Sequence, residues 1–152
     1  AQMPSLRLET HDVSYLSNRA IALYSDRGVQ FVSDGPVYAS VDKEQWSRII
    51  HNLIKNALQS VPEDRQPEVM VRVKKEQGKG IISVSDNGTG IPDEMKERVF
   101  EPNFTTKSSG MGLGLAMVKN LIQNFGGTIA FENGKRGAVF TITIPTKQNN
   151  LS

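Results

Sequence analysis

The sequence predicts an α+β fold, a two-layer sandwich in which a mixed, mostly antiparallel sheet carries helices on one face. Two observations lead to this prediction. Two long segments have apolar residues at helical spacing, and several short apolar runs stand in pairs around turn residues. Strands paired in hairpins and separated by independent helices favour a sheet that is covered by helices on one side.

The composition is that of an ordinary globular domain. The chain has 152 residues, of which 38% are hydrophobic and 22% charged, enough for one sizeable core. A net charge of +2 gives no reason to expect nucleic acid or an anionic membrane as a partner. The chain lacks cysteine, which excludes disulfides and thiolate ligands. No apolar run approaches the ~20 residues that a membrane-spanning helix needs.

The first third of the chain predicts a leading segment, one helix and two short strands. Residues 1–11 are interpreted as an edge segment or a linker remnant. Apolar residues recur at helical spacing through 12–24, where Asp12 can cap the helix. Short apolar runs at 29–33 and 37–41 flank an Asp-Gly-Pro turn signal, which predicts two strands joined by a tight turn.

The segment 42–60 carries the strongest helical pattern. Asp42 can cap this helix, and Gln45 stands three residues later, as a capping box requires. The apolar stripe of the helix consists of Trp46, Ile49, Ile50, Leu53, Ile54, Ala57 and Leu58. Pro62 lies just beyond the predicted end of the helix.

The second half of the chain predicts two hairpins and a second long helix. The elements are strands at 68–75 and 80–86, a short helix at 92–100, a long helix at 112–125, and strands at 128–132 and 138–144. Residues 77–80 form the turn of the first hairpin, and Gly126 with Gly127 ends the long helix. The predicted domain therefore spans 12–146, followed by a polar, disordered tail at 147–152.

Two asparagines on the strongest helix, Asn52 and Asn56, lie one turn apart at the edge of the apolar stripe, beside Ile49. A single asparagine there is most simply part of a solvated helix edge. Because asparagine is a poor helix former, two of them four residues apart are harder to explain in this way. Their amide oxygens are hard ligands of the kind that suits Mg²⁺.

Three loops after this helix each have a structural and a functional interpretation. Residues 86–92 form either a tight turn or a site where Asp86 accepts a hydrogen bond from an amine while the glycines admit a flat ring. Residues 100–109 form either a surface loop or a binding lid. Three alternating glycines at 110–114 precede a helix, where backbone N–H groups can converge on an anion. Their spacing matches neither a dinucleotide-binding fold nor a P-loop.

In this order, the four segments resemble the ATP-binding catalytic domain of bacterial sensor histidine kinases, in the Bergerat or GHKL superfamily. The likeness runs from about 12 to 145. The matching segments are HNLIKNAL at 51–58 (N box), DNGTGIP at 86–92 (G1 box), FEPNFTTK at 100–107 (F box), GMGLGL at 110–115 (G2 box) and GAVF at 137–140 (last glycine motif). The F-box wording is similar to the nitrogen-regulation branch of these kinases.

The resemblance implies a set of residues that bind Mg²⁺ and ATP. Asn56 would hold Mg²⁺ against the triphosphate, with Asn52 near the phosphates. Asp86 would accept a hydrogen bond from the adenine amino group. The other residues implied to bind the nucleotide are Gly88, Gly90, Ile91, Thr106, Lys107, Gly110, Met111, Gly112, Leu113, Gly114, Leu115 and Phe140.

The same resemblance implies a protein histidine kinase of a two-component system. The domain would present the γ-phosphoryl group of ATP to a histidine on its own dimerisation and phosphoacceptor domain, and the full-length kinase would act on a cognate response regulator. ATP-hydrolysing relatives typically have a glutamate at position 52, so Asn52 favours a kinase. Neither His11 nor His51 stands in a phosphoacceptor motif, so the phosphoacceptor is expected outside this chain. We expect a cytoplasmic domain, whose parent can be anchored in the inner membrane.

Four positions depart from the family pattern. Gln59 stands where a lysine is frequent, Asn103 replaces an aromatic residue, Met111 replaces a threonine, and Ala138 also replaces a threonine. Two alternative functions therefore stay open. One is a serine kinase of the anti-sigma type, and the other is a non-catalytic interaction module gated by nucleotide.

Overall fold

The computed structural model describes residues 5–102 and 112–148, and for residues 112 and 113 the backbone alone. In chain order the elements are β1 (Glu9–Asp12), α1 (Val13–Ile21), β2 (Val29–Ser33), β3 (Tyr38–Val41), α2 (Lys43–Gln59), β4 (Val69–Glu76), β5 (Lys79–Ser85), α3 (Gly112–Asn124), β6 (Thr128–Asn133) and β7 (Ala138–Pro145). Two short 3₁₀ helices, Ala22–Tyr24 and Asp93–Arg98, join them, and the second replaces the short helix predicted at 92–100.

Five strands form a mixed sheet in the order β2-β4-β5-β7-β6, in which β2 is parallel to β4 and the other pairs are antiparallel. Burial alternates along β4 and β7, so each strand has one core face and one face towards solvent. Helices α2 and α3 pack on the core face. The predicted fold class is therefore confirmed.

The strands predicted at 29–33 and 37–41 are both formed, but they do not pair with each other. β2 joins the large sheet, whereas β3 pairs antiparallel with β1 in a separate two-stranded sheet. The reason is a set of contacts with Val37, just before β3. Its N–H donates to the Asp12 carboxylate (3.0 Å), and its carbonyl accepts from the Val13 N–H (2.8 Å). These bonds direct β3 towards β1.

Helix α2 owes its position to its cap and its apolar stripe. Asp42 Oδ1 accepts hydrogen bonds from the N–H groups of Glu44 (3.0 Å) and Gln45 (3.1 Å), so the predicted cap is confirmed. The reciprocal bond of a capping box is not formed, because the Gln45 Oε1 atom is buried without a partner. Trp46 is fully buried, and its indole N–H donates to Ser17 Oγ of α1 at 3.0 Å.

Helix α3 ends at the predicted glycines. Gly126 has a φ of +82°, and its N–H donates to Gln123 O (3.0 Å), while the Gly127 N–H donates to Ile122 O (2.9 Å). This pair of bonds is the Schellman motif, which a left-handed glycine makes possible. Within the described ranges, no helix is long and apolar enough to cross a lipid bilayer.

Both flanks of the domain meet the two-stranded sheet. The Arg7 N–H donates to Asp42 Oδ2 (2.9 Å), directly after β3, and the Lys147 N–H donates to Tyr38 O of β3 (2.7 Å). Thr146 is held in turn by Gly78 O, which accepts from its N–H and its hydroxyl. Residue 147 therefore carries an ordered backbone contact at the start of the predicted tail.

Candidate functional site

The carboxylate of Asp86 is fixed by the main chain at the ends of two neighbouring strands. Asp86 follows β5 and is 7% exposed. Its Oδ1 atom accepts hydrogen bonds from the N–H groups of Gly88 (2.8 Å) and Ala138 (3.2 Å), and its own N–H donates to Ala138 O (3.1 Å). A carboxylate held by backbone donors in this way keeps one orientation.

The loop after Asp86 lies directly on the C-terminal end of α2. A Cβ atom at Gly88 would stand 2.5 Å from Ser60 O, which leaves room for glycine alone. The Thr89 N–H donates to the same carbonyl at 3.3 Å. Close packing on Ser60 accounts for Gly88 without any ligand, so its proposed contact with the nucleotide base stays a prediction.

Asn52 on α2 faces the beginning of α3. A Cβ atom at Gly114 would stand 3.4 Å from Asn52 Oδ1, so the two helices approach at this point. Asn52 and Asn56 are both partly exposed, one helical turn apart. The structure therefore brings Asn52 next to the predicted glycine-rich helix start, with Asn56 one turn further along α2.

Three apolar residues of the predicted site belong to the core margin. Leu115 is 4% and Phe140 2% exposed, and Ile91 is partly buried against the same core cluster. The Phe140 ring meets Phe100 edge-on at 5.9 Å and Phe131 at 5.2 Å, which fixes its plane. Leu115 and Phe140 therefore belong to the buried core in this structure, and Ile91 packs against it.

Several predicted residues lie outside the described part of the chain. They are Thr106, Lys107, Gly110 and Met111, together with the side chain of Leu113; of Gly112 the backbone alone is described. Their implied roles at the phosphates and in the lid stay predictions.

Asn87 is a residue of this region whose role the sequence did not reveal. It is 4% exposed, and its side chain accepts from the Glu68 N–H (2.8 Å) and donates to Gln66 O (2.8 Å). Its carbonyl accepts from the Arg65 guanidinium at 2.6 Å. Asn87 thus fastens the loop before β4 beside Asp86. An asparagine before glycine is typical of any turn, so the sequence carries no signal for this role.

A second such residue is Asn133 at the end of β6. Its Oδ1 atom accepts from the Ile91 N–H (3.0 Å), and its Nδ2 atom donates to Ile91 O (2.8 Å). The partners are 42 positions apart in sequence, and the Asn-Gly pair at 133–134 is typical of a hairpin turn. Local pattern therefore gave no indication of the contact.

His51, the neighbour of Asn52, has a structural environment. Burial, and secondarily the positive charge of Lys55, lower the pKa of His51 below its ordinary value. The Tyr24 hydroxyl lies 2.9 Å from His51 Nδ1, and the two rings are 5.6 Å apart. His51 is partly buried, between α2 and the 3₁₀ helix Ala22–Tyr24. Among the described residues, no cluster of three or more His, Cys, Asp or Glu side chains could hold a metal ion.

Residues 41–148 match the family model for histidine kinase-, DNA gyrase B- and HSP90-like ATPases. The chain belongs to this ATPase family. The matched range contains α2, the Asp86 loop, α3 and β7, which together form the candidate site of this family member.

Relatives within the ATPase family are sensor histidine kinases. The chain is 35% identical to the sensor histidine kinase ZraS of Escherichia coli K12 over 150 residues, which cover 92% of the chain and 31% of ZraS. It is 35% identical to the histidine kinase/phosphatase NtrB of Azospirillum brasilense over 124 residues, 72% of the chain and 30% of NtrB. The chain thus spans about a third of these curated relatives, and its recognition as a histidine-kinase ATP-binding domain is confirmed.

Solved structures agree with this membership. The catalytic domain of the histidine kinase ThkA superimposes with a TM-score of 0.82 at 28% identity, covering 91% of the chain and 95% of that domain. ThkA has also been solved in complex with the response regulator TrrA, where the likeness covers 93% of the chain and 42% of ThkA, with a TM-score of 0.79 at 25% identity. The chain therefore corresponds to the catalytic, ATP-binding part of a two-component kinase.

Proposed function

We propose that this domain binds Mg²⁺-ATP and presents the γ-phosphoryl group to a histidine on a separate dimerisation and phosphoacceptor domain. The observation that carries the proposal is the buried, main-chain-held carboxylate of Asp86 in a member of this ATPase family. A fixed carboxylate suits recognition of an amino group, because its acceptor direction is set before the ligand arrives.

The described residues fit an adenine nucleotide in their chemistry. Asp86 supplies the acceptor for the exocyclic amino group, and Ile91, Leu115 and Phe140 supply apolar surface for the ring. Pockets for small ligands commonly combine such apolar walls with a few fixed polar groups. Gly114 leaves the space in front of Asn52 without a side chain, towards the proposed phosphate region.

The asparagine pair fits a magnesium ion. Asn56 would hold the cation through its amide oxygen, with Asn52 one turn away near the phosphates. When bound, Mg²⁺ neutralises charge on the phosphate oxygens. Thr106 and Lys107 are proposed as further phosphate contacts, since a lysine can act there as a point cation.

The residue types favour transfer over hydrolysis. Phosphoryl transfer depends mainly on positioning and electrostatic stabilisation, so the domain has to orient the nucleotide for in-line attack by an external histidine nitrogen. An amide at position 52 cannot accept a proton from water. We therefore assign a kinase role, with the cognate response regulator reached through the full-length protein, as the ThkA–TrrA complex illustrates for ThkA. A cytoplasmic location is proposed together with this role, because the cytoplasm supplies ATP.

Calorimetric titration with ADP and with a non-hydrolysable ATP analogue, each with and without Mg²⁺, tests the proposal. Wild type is expected to bind both nucleotides, and Mg²⁺ is expected to tighten binding of the ATP analogue. Asp86→Asn should abolish most binding, and Asn56→Ala should remove the Mg²⁺ effect. Asn124→Ala is the matched control, because the Asn124 amide donates within α3 to Asn120 O. A wild-type chain that binds neither nucleotide contradicts the proposal.

Incubation with radiolabelled ATP and the histidine domain of its own parent kinase separates the alternatives. Acid-labile phosphate on the added domain supports the histidine kinase. Acid-stable phosphate on a protein partner supports the serine kinase. Nucleotide binding without transfer to any partner supports the interaction module.

A further inference from the structure

We propose that Asn133 is a positioning residue of the nucleotide pocket, which acts by holding the main chain of Ile91. The inference rests on the proposed function, because Ile91 is one wall of the proposed adenine site. The Asn133 amide meets both polar groups of the Ile91 backbone, accepting from its N–H at 3.0 Å and donating to its carbonyl at 2.8 Å. Ile91 lies in the loop between β5 and the 3₁₀ helix Asp93–Arg98, so the side-chain amide satisfies both backbone polar groups of a residue outside the sheet.

The Gly90–Ile91 loop packs closely against Asn133 at Gly90. Gly90 has a φ of +73°, and a Cβ atom there would stand 2.7 Å from Asn133 Oδ1. The absent side chain of Gly90 thus makes room for the amide of Asn133. The contact joins segments far apart in the chain and fixes the point where the 3₁₀ helix Asp93–Arg98 and the residues after it depart from the sheet.

Asn133 and Ala138 are cross-strand partners in the β6–β7 ladder. Ala138 holds Asp86 through its main chain, and Asn133 holds Ile91 through its side chain. The facing residues Asn133 and Ala138 therefore hold Ile91 and Asp86, which are proposed as an apolar wall and the polar wall of the pocket. Because the two anchors use different atoms, a change of the Asn133 side chain releases Ile91 and leaves Asp86 in place.

The test compares wild type with Asn133→Ala and Asn133→Gln, with Asn124→Ala as the control. Three quantities are measured: the Kd for ADP by calorimetry, hydrogen exchange of the Ile91 amide, and Tm. Loss of two backbone bonds predicts about tenfold weaker ADP binding for Asn133→Ala, together with faster exchange at Ile91. Asn133→Gln keeps an amide but displaces it by one methylene, and should behave similarly. Because residue 133 is solvent-exposed, both variants are expected to fold.

A double variant adds a readout that a general loss of stability would not produce. Gly90→Ala weakens binding by pressing a methyl group on Asn133, so its effect on the ADP Kd should shrink in the Asn133→Ala background. Faster exchange at Ile91 with an unchanged ADP Kd in the Asn133 variants overturns the inference and makes the contact purely structural. A wild-type chain that fails to bind ADP refutes the proposed function itself, and the inference with it.

Discussion

Gly137 packs against Asp86 so closely that no side chain fits between them. A Cβ atom at Gly137 would stand 2.5 Å from Asp86 O and 2.7 Å from Gly88 N, and it would overlap the Asp86 carboxylate as well. Gly137, the glycine of the last motif, therefore packs directly against Asp86, whose carboxylate is proposed to recognise adenine. Its conformation is ordinary, so the requirement for glycine is one of space.

Gly137→Ala is expected to push Asp86 out of position. Overpacking of this kind typically costs about 1–3 kcal/mol of the free energy of unfolding, and ADP affinity should fall at least tenfold because the carboxylate turns. Urea denaturation and calorimetry measure the two effects. Gly134→Ala is the matched control in the same turn, because a Cβ atom there would make its tight contact, 3.0 Å, with a side-chain methyl group of Val139 and only an ordinary one, 3.6 Å, with the main chain. Equal losses of stability and of ADP affinity in the two variants would contradict the proposed contact between Gly137 and Asp86.

Substitutions at Gly114 test the proposed phosphate end of the site. Alanine fits, because its Cβ atom makes an ordinary 3.4 Å contact with Asn52 Oδ1, and it should raise stability by up to about 1 kcal/mol in a helix. Valine reaches further and should displace the Asn52 amide. We expect Gly114→Val to reduce the Mg²⁺-dependent part of ATP-analogue binding, measured by calorimetry, while Gly114→Ala keeps it. Loss of binding in both variants would argue against a specific contact with Asn52.

Removal of the Ser17 hydroxyl should destabilise the contact between α1 and α2. Ser17→Ala leaves the buried indole N–H of Trp46 without its acceptor, which typically costs about 1–3 kcal/mol. Trp46 is the single tryptophan, so its fluorescence reports the environment and the unfolding transition directly. Ser47→Ala, at a partly exposed position of α2, is the control and should match wild type. An unchanged urea midpoint for Ser17→Ala would show that the bond contributes little.

Stability should fall in mildly acidic solution because of His51. Burial, followed by the charge of Lys55, lowers the pKa of His51 in the folded state below 6.5, so the unfolded chain takes up the proton first as the pH falls. The free energy of unfolding is therefore highest above the unfolded pKa and decreases as the pH falls through the folded pKa. Urea denaturation between pH 8 and 5 measures this slope. His51→Gln should reduce this slope, and a slope parallel to that of wild type would contradict the role of His51.

The elements that the sequence predicted well are those decided by local contacts. Asp42, the spacing of the apolar stripe and the two glycines after α3 all act within a few residues of the helix that they define. The partner of β3 could not be predicted, because it depends on the hydrogen bonds of Val37 with Asp12 and Val13, which are distant in sequence. Pairing partners of short strands depend on such tertiary contacts rather than on propensity.

The candidate site shows the same difference between local motifs and long-range contacts. Asp86, Asn52 and Gly114 could be proposed from the sequence because they stand in motifs whose chemistry is readable along the chain. Asn133 and Asn87 act on backbone groups that are distant in sequence, and an asparagine next to a glycine is typical of any turn. Residues that hold a site in place through long-range amide contacts leave no periodic or spacing signal.

The meeting of both flanks at the two-stranded sheet determines how the domain responds to force. Arg7 joins beside Asp42, and Lys147 joins β3 at Tyr38. Tension between the two flanks is thus carried first by the contacts of Arg7 and Lys147 with the two-stranded sheet and by the bonds of Thr146 to Gly78. Because β7 ends at Pro145, directly before Thr146, the five-stranded sheet is loaded once these contacts break.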